Sequence, residues 1–517
     1  MHSAPPNSAY KKHLPRATLS MIIYCAVVSS AFLFLASMNS PLFPLNTWVD
    51  ENCFFSVGKA LAQGQVLYAD IYEQKGVLLY FLYAGAAMIS STTFIGVFIL
   101  EIIAITITLY YATKIIRLFI PGNFAPLVLT PIFAVLVLTA PSYALGGSSE
   151  EICLPFIEIA LFHLLDYFFG SKRYEPKTAF FDGCLAACVV WVKFSMVGFF
   201  LGSFLIIAAS LIVERNGKAF GRGAGAIVLG VFAATLPWIV YFGLQGLLQE
   251  WIHGYFYLNI FTYQESLGFI ERLVSFKDHL LSAFSTNAQF IVISAIGIVL
   301  CLFMGKKSSR NAQALAQVST LLPAVLLAFG IYFGSRAYPY YAFILAAFAP
   351  LGLATIYSGI QHVSQTALSL FAKKIALAAV MICSLIFGYY GANCHAYRTI
   401  EKEDFPQFQF AEIMKQSENP TLLNYGFLDG GFYFAADIVP TCKYFCTLNN
   451  AIPDMIEEQK NYLASRKVEY VVASQNTGML LTSNYNLIAT STLHKQTLSF
   501  HPPEPDLTYY LYQKKAW

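Results

Sequence analysis

Eleven apolar runs limit what this 517-residue chain can fold into. They cover 17–38, 93–113, 124–140, 152–169, 179–192, 195–213, 223–244, 286–304, 314–334, 340–358 and 375–391, and a bilayer core takes about 20 such residues per helical crossing. Only 12% of the residues are charged, against about 25% in soluble domains. Polar surface is too scarce to face water along most of the chain, so lipid must cover the rest. The net charge of +3 gives no sign of a nucleic-acid partner.

Charge sets the expected orientation, because cytoplasmic loops collect Lys and Arg. The clusters are Lys11/Lys12/Arg16, Lys114/Arg117, Lys172/Arg173/Lys177, Arg215/Lys218/Arg222, Lys306/Lys307/Arg310 and Lys373/Lys374. All fall on one side if a further run, Val77–Ser91, lies in the interface or dips and returns instead of crossing. Segments 39–76, 141–151, 245–285, 335–339 and the tail from about 392 then lie outside. The first run follows basic residues and precedes no clear small-residue cleavage pattern, so it reads as a signal anchor with its N-terminus in the cytoplasm. As one helix, 179–213 would be about 52 Å long. Lys193 sits in its middle, which predicts a turn there.

The expected architecture is an α-helical polytopic core over 1–391 with a small extracytoplasmic α/β domain over 392–517. In the tail, Gln407–Ser417 and Pro453–Arg466 read as helices. TLLNYGF, EYVVAS, YNLIATSTL and TYYLYQKK read as strands. Cys25, Cys153, Cys184, Cys188, Cys301 and Cys383 lie in apolar runs and read as small core residues. Cys442 and Cys446 are near enough in sequence to allow a disulfide, although spacing does not fix connectivity.

The outer segments hold the candidate chemistry. The first, NTWVDENCFFSVGKALAQGQVLYADIYEQKG, is a long polar loop with Asp50 beside Glu51, then Tyr68, Asp70, Tyr72, Glu73 and Lys75. The second, PSYALGGSSEE, ends on Glu150 and Glu151, which suit either the first turn of a helix or an acidic site. Lys193 is an ionisable group among apolar residues and marks either a polar cavity fit for phosphate or a side chain reaching the headgroups. In SRAYPYYAF, Arg336 suits a phosphate, while Tyr338, Tyr340 and Tyr341 suit sugar stacking or the interfacial aromatic belt. Glu101 lies within a span, and the sequence gives it no role.

These motifs, in this order, resemble the bacterial polyprenyl-phosphate-dependent glycosyltransferases of the GT-C fold, relatives of the dolichyl-phosphate-mannose protein mannosyltransferases and the aminoarabinose transferases of lipid A. The likeness covers about residues 17–390 and rests on W-V-D-E-x-x-F, on G-K-A-L-A-x-G-x-x-x-Y-x-D-x-x-x-x-K-G-x-L-x-Y and on GGSSEE. DGCLAACVVWVKFS matches with Ala187 in place of a glycine, and RAYPYYAF matches with Pro339 or Tyr340 in place of a histidine. The resemblance implies that Asp50 is the general base and that Glu51 assists it. Lys75, Lys193 and Arg336 would contact the donor phosphate. Glu150 or Glu151 would complete the acidic site, through a divalent cation in some relatives and without one in others. It also implies a bacterial inner membrane, a polyprenyl-phosphate sugar donor, and a glycan, lipid or protein acceptor.

The chemistry agrees with that expectation. Transfer from a sugar phosphate needs a carboxylate to take the acceptor proton and cations where the leaving phosphate gains charge. A single displacement inverts the anomeric centre. The rival reading is a transporter or flippase of lipid-linked saccharide, a class that commonly shows internal repeats. No repeat is visible here.

Overall fold

The computed structural model describes residues 10–170, 173–263, 267–304, 310–334, 336, 338–364, 369–449, 452–474, 483–494 and 506–515. Lys172, Lys306 and Lys307, used above for orientation, lie outside the described residues. Every apolar run coincides with helix. In chain order the helices are α1 (Tyr10–Ala36), α2 (Val49–Ala62), α3 (Val77–Ile89), α4 (Ile95–Phe119), α5 (Phe124–Leu138), α6 (Ser149–Phe168), α7 (Pro176–Lys193), α8 (Gly198–Val213) and α9 (Gly217–Leu244). A short α10 (Leu248–Ile252) runs into a π-helix, His253–Thr262. Then come α11 (Phe269–Thr286), α12 (Ala288–Cys301), α13 (Arg310–Gln317), α14 (Leu321–Tyr332), a 3₁₀ segment Pro339–Phe348, α15 (Ala349–Ser364) and α16 (Leu370–Gly391).

Among the described residues, six helical segments are long and apolar enough to cross a membrane. The number is eight if the bent pairs α11–α12 (111°) and α13–α14 (43°) each make one span. The eleven runs exceed that count for local reasons. Segment 176–213 is one continuous helical stretch broken at the predicted place, where α7 ends at Lys193 and a 3₁₀ turn, Phe194–Val197, leads into α8. α5 has only 15 residues, and α6 carries Glu150, Glu151, Glu158 and Asp166. α3 has 13 residues, about 20 Å of helix, too short to cross unaided. Large parts of α9 and α16 expose Val228, Leu229, Phe232, Ile386 and Phe387. These are side chains only lipid can cover. The chain is a multi-pass membrane protein.

The tail begins with α17 (Pro406–Met414) and builds a four-stranded sheet ordered β1-β2-β4-β3 from β1 (Leu422–Tyr425), β2 (Tyr470–Ala473), β3 (Tyr485–Leu493) and β4 (Leu507–Lys514). β1 and β2 are parallel, and the other pairs are antiparallel. All four expected strands and both expected helices form, the second as α19 (Pro453–Ala464), with a short α18 (Phe432–Ala435) between. One cysteine departs from expectation: Cys383 is exposed. Of the two alternatives left open for the tail pair, the structure favours the unpaired one, because Cys446 faces Cys53 and not Cys442.

Candidate functional site

The segment expected to be a loop contains helix α2, and that changes how its acids are held. Asp50 and Glu51 occupy the first turn, where the helix dipole favours carboxylates. Successive helical residues point about 100° apart, so the two acids face different surroundings. Asp50 is partly exposed and accepts a 2.7 Å hydrogen bond from the Tyr340 hydroxyl. Glu51 is fully buried and lies 2.5 Å from the Tyr83 hydroxyl. Burial pushes the Glu51 carboxyl well above the usual carboxylate range, and the charges of Glu101 and Asp50 push the same way.

Backbone contacts deliver Lys75 to the same place. Tyr68 donates to the Lys75 carbonyl at 2.6 Å, and Asn259, from the π-helix, donates to the Gln74 carbonyl at 2.7 Å. The Gly76 amide donates to the Val192 carbonyl at 3.0 Å. A Cβ at Gly76 would fall 2.1 Å from the Trp191 carbonyl oxygen, so only glycine lets this turn sit against the end of α7. Burial works against the Lys75 ammonium, but the charges of Glu73 and Asp50 outweigh it and hold its pKa above the ordinary lysine value. Burial raises Glu73, and Lys75 opposes that rise.

Lys193 is buried and paired; it does not reach for headgroups. Its Nζ donates to Glu150 Oε1 at 2.5 Å and lies 3.4 Å from the Tyr341 ring centroid and 5.5 Å from that of Tyr340. Tyr340 therefore touches both Asp50 and the Lys193–Glu150 pair, so it is neither a free stacking platform nor a belt residue. Tyr255 fixes the helix break from outside: its hydroxyl donates to the Val190 carbonyl at 2.5 Å and accepts from the Phe194 amide at 3.0 Å.

These groups border a cavity of 690 Å³. Lys75, Lys193, Arg272 and Arg336 line it together with Leu201, Leu326, Phe329 and Phe333. Arg336 also donates to the Asn449 carbonyl at 2.8 Å and lies 4.5 Å over the Tyr263 ring. It thus joins the cavity wall to the tail.

The remaining predicted acids form a second, separate cluster with Glu101. The Gly147 amide donates to Glu101 Oε1 (3.0 Å) and Glu151 Oε2 (2.9 Å), and the Tyr83 hydroxyl lies 2.5 Å from the Gly147 carbonyl. Ser37 and Tyr143 donate to Glu101 at 2.7 and 3.1 Å. Gly147 has φ +79°, and a Cβ there would fall 1.7 Å from Glu51 Oε2. Glu51, Glu101 and Glu151 thus clasp the GGSSEE turn and hold α2, α4 and α6 together. The predicted pairs are split: Asp50 bonds Tyr340 and Glu150 bonds Lys193, while Glu51 and Glu151 turn to Tyr83 and Gly147. Glu101 was visible as an ionisable residue in a span, but its partners lie too far along the chain for spacing to suggest them. Among the described residues no group of three His, Cys, Asp or Glu is placed to hold a metal ion. Glu150 is already taken by Lys193 and Ser149.

The tail docks on the other face of α2. Ser56 donates to Asp429 at 2.5 Å, Lys59 pairs with Asp437, and the Tyr72 amide donates to the Lys443 carbonyl at 2.9 Å. Burial raises the Asp429 carboxyl to about 6, against hydrogen bonds from Ser56, Gly431 and Asn424 that favour its charged form.

The fold that carries these residues is a known one. The chain superposes on the crystal structure of ArnT from Cupriavidus metallidurans in the apo state with a TM-score of 0.60, covering 96% of this chain and 98% of that one at 12% identity. The structure of the same protein bound to undecaprenyl phosphate gives a TM-score of 0.58 over the same shares, also at 12% identity. The fold is therefore that of the GT-C class, as the sequence resemblance implied. Residues 8–390 match the family model described as "Putative competence-induced protein Ccs4 N-terminal domain", and the chain belongs to that family. No curated protein matches it by sequence.

Proposed function

We propose that this protein is a membrane glycosyltransferase that moves a sugar from a polyprenyl-phosphate donor to an acceptor hydroxyl on the extracytoplasmic face of the bacterial inner membrane, with inversion. Its product would serve cell-envelope glycan or glycolipid assembly. The observation that carries this reading is the cavity in which Lys75, Lys193 and Arg336 share a wall with apolar side chains, beside an Asp50 held by Tyr340. A lipid phosphate needs that combination, with cations for the head and an apolar slot for the chain. The ArnT fold, solved in one case with undecaprenyl phosphate, supports the same donor class.

In this mechanism Asp50 takes the proton of the acceptor hydroxyl as its oxygen attacks the anomeric carbon. Lys75 and Lys193 receive the charge that grows on the departing phosphate. Glu150 holds Lys193 in place, and Tyr340 orients Asp50. Glu51 is assigned to support and not to the reacting atoms. The test is a purified protein given a panel of polyprenyl-phosphate sugars, with release of polyprenyl phosphate as the readout. Asp50→Asn should insert, bind undecaprenyl phosphate and lose turnover. Turnover undiminished in Asp50→Asn would remove Asp50 as the base, and no release of polyprenyl phosphate from any donor would instead favour a flippase. Undecaprenyl phosphate bound equally well by Lys75→Ala/Lys193→Ala would remove the donor site.

A further inference from the structure

Two sulfurs meet where the tail rests on the helix that bears Asp50. Cys53 Sγ lies 3.7 Å from Cys446 Sγ, although the residues are 393 positions apart. Both are fully buried. Cys442, the sequence neighbour of Cys446, is turned away: its Sγ lies 3.3 Å from Glu458 Oε1 and 3.6 Å from the Tyr444 carbonyl. The surrounding backbone is already pinned, with the Asp429 amide 3.4 Å from Cys53 Sγ and the Asn424 amide 3.1 Å from the Phe445 carbonyl. A disulfide needs Cβ atoms about 3.5–4.5 Å apart and sulfurs about 2.05 Å apart. At 3.7 Å the two sulfurs are in van der Waals contact, about 1.7 Å from bonding distance.

We propose that Cys53 and Cys446 form an intramolecular disulfide that clamps the tail domain to the helix carrying the proposed base. This rests on the extracytoplasmic placement of the tail given above, since disulfides persist on that side of a membrane. Each cysteine gives up its thiol proton and one electron as the S–S bond forms. The electron pair and two protons reduce the disulfide of an oxidising thiol–disulfide carrier protein to two thiols. Exchange runs through a thiolate, and burial holds both thiols above their ordinary pKa. The bond therefore forms before docking is complete and is afterwards shielded from reductant.

The experiment uses the full chain in cells quenched with acid. Free thiols are alkylated in denaturant with light N-ethylmaleimide, the sample is reduced, and the newly released thiols receive the heavy reagent. Cys53 and Cys446 should carry heavy label, Cys442 light label, and an unreduced digest should contain the Cys53–Cys446 linked peptide. Cys53→Ser should move Cys446 to light label. In parallel, Lys460→Cys, at an exposed position, is probed on intact cells with a membrane-impermeant maleimide. Light label on both Cys53 and Cys446, or a Cys442–Cys446 peptide, in a protein whose position 460 reacts from outside, overturns the disulfide and leaves the glycosyltransferase reading standing. Failure of position 460 to react overturns the orientation, and the disulfide with it.

Discussion

Tyr340 reaches across 290 residues of chain to donate a 2.7 Å hydrogen bond to Asp50. Pro339 or Tyr340 takes the place of the histidine that the resemblance led one to look for, and Tyr340 holds the carboxylate with a single hydroxyl. Removing a hydrogen bond to a charged group costs about 1.5–3 kcal/mol. Tyr340→Phe should therefore lower kcat by about 10- to 160-fold, at 1.36 kcal/mol for each tenfold in rate. Affinity for undecaprenyl phosphate, measured by equilibrium binding, should change little.

The Lys193–Glu150 pair is largely buried, and that makes its halves unequal to the whole. Glu150→Gln leaves a buried ammonium without its counter-charge, at a cost of about 3–5 kcal/mol. Glu150→Gln/Lys193→Met should recover most of the lost thermal stability in detergent while remaining inactive. Added undecaprenyl phosphate should raise the Tm of Glu150→Gln more than that of the parent protein, because the ligand supplies the missing negative charge. Equal shifts would argue that the phosphate sits elsewhere.

Gly76 sets the distance between two cations. Its amide bonds the Val192 carbonyl, and a methyl group there would collide with the Trp191 carbonyl at 2.1 Å. Gly76→Ala should push the Lys75 turn off the end of α7 and cost about 1–3 kcal/mol in overpacking. Binding of undecaprenyl phosphate should weaken along with turnover. The tail should remain docked, as read by protection of its backbone amides from exchange.

Asp429 predicts a pH effect confined to the docking surface. Its folded pKa is raised to about 6 from an ordinary value of 3.8, so the folded state holds the proton that the unfolded chain releases. Stability should fall as pH rises between these values and then level off, by about 3 kcal/mol at most. Asp429→Asn should flatten that slope in Tm measured from pH 4 to 6.5. Ser56 can reverse its hydroxyl to accept from the new amide, so the variant should fold.

Much of the architecture was readable because apolar periodicity reports directly on lipid burial. The break at Lys193, the tail strands and the paired acids all lay in local pattern. α2 was missed because its apolar and polar residues alternate with glycine and cysteine in a way that suits a loop as well as a helix packed on all sides. The clasp of Glu51, Glu101 and Glu151 on Gly147 was missed because it is made by three separated segments, and no spacing encodes it. The same is true of the docking contacts made by Ser56, Lys59 and Cys53.

Lys59 is buried, and its carboxylate partner, Asp437, belongs to the tail. A protein cut at the membrane boundary would thus strand a positive charge on the very helix that presents Asp50, and would remove the tail contacts of Ser56 and Cys53 on that helix. The tail is therefore a brace for the helix that bears Asp50, tied to it through Ser56 and Lys59, so exchanging tails between related proteins should disturb that helix as well as whatever the tail itself binds.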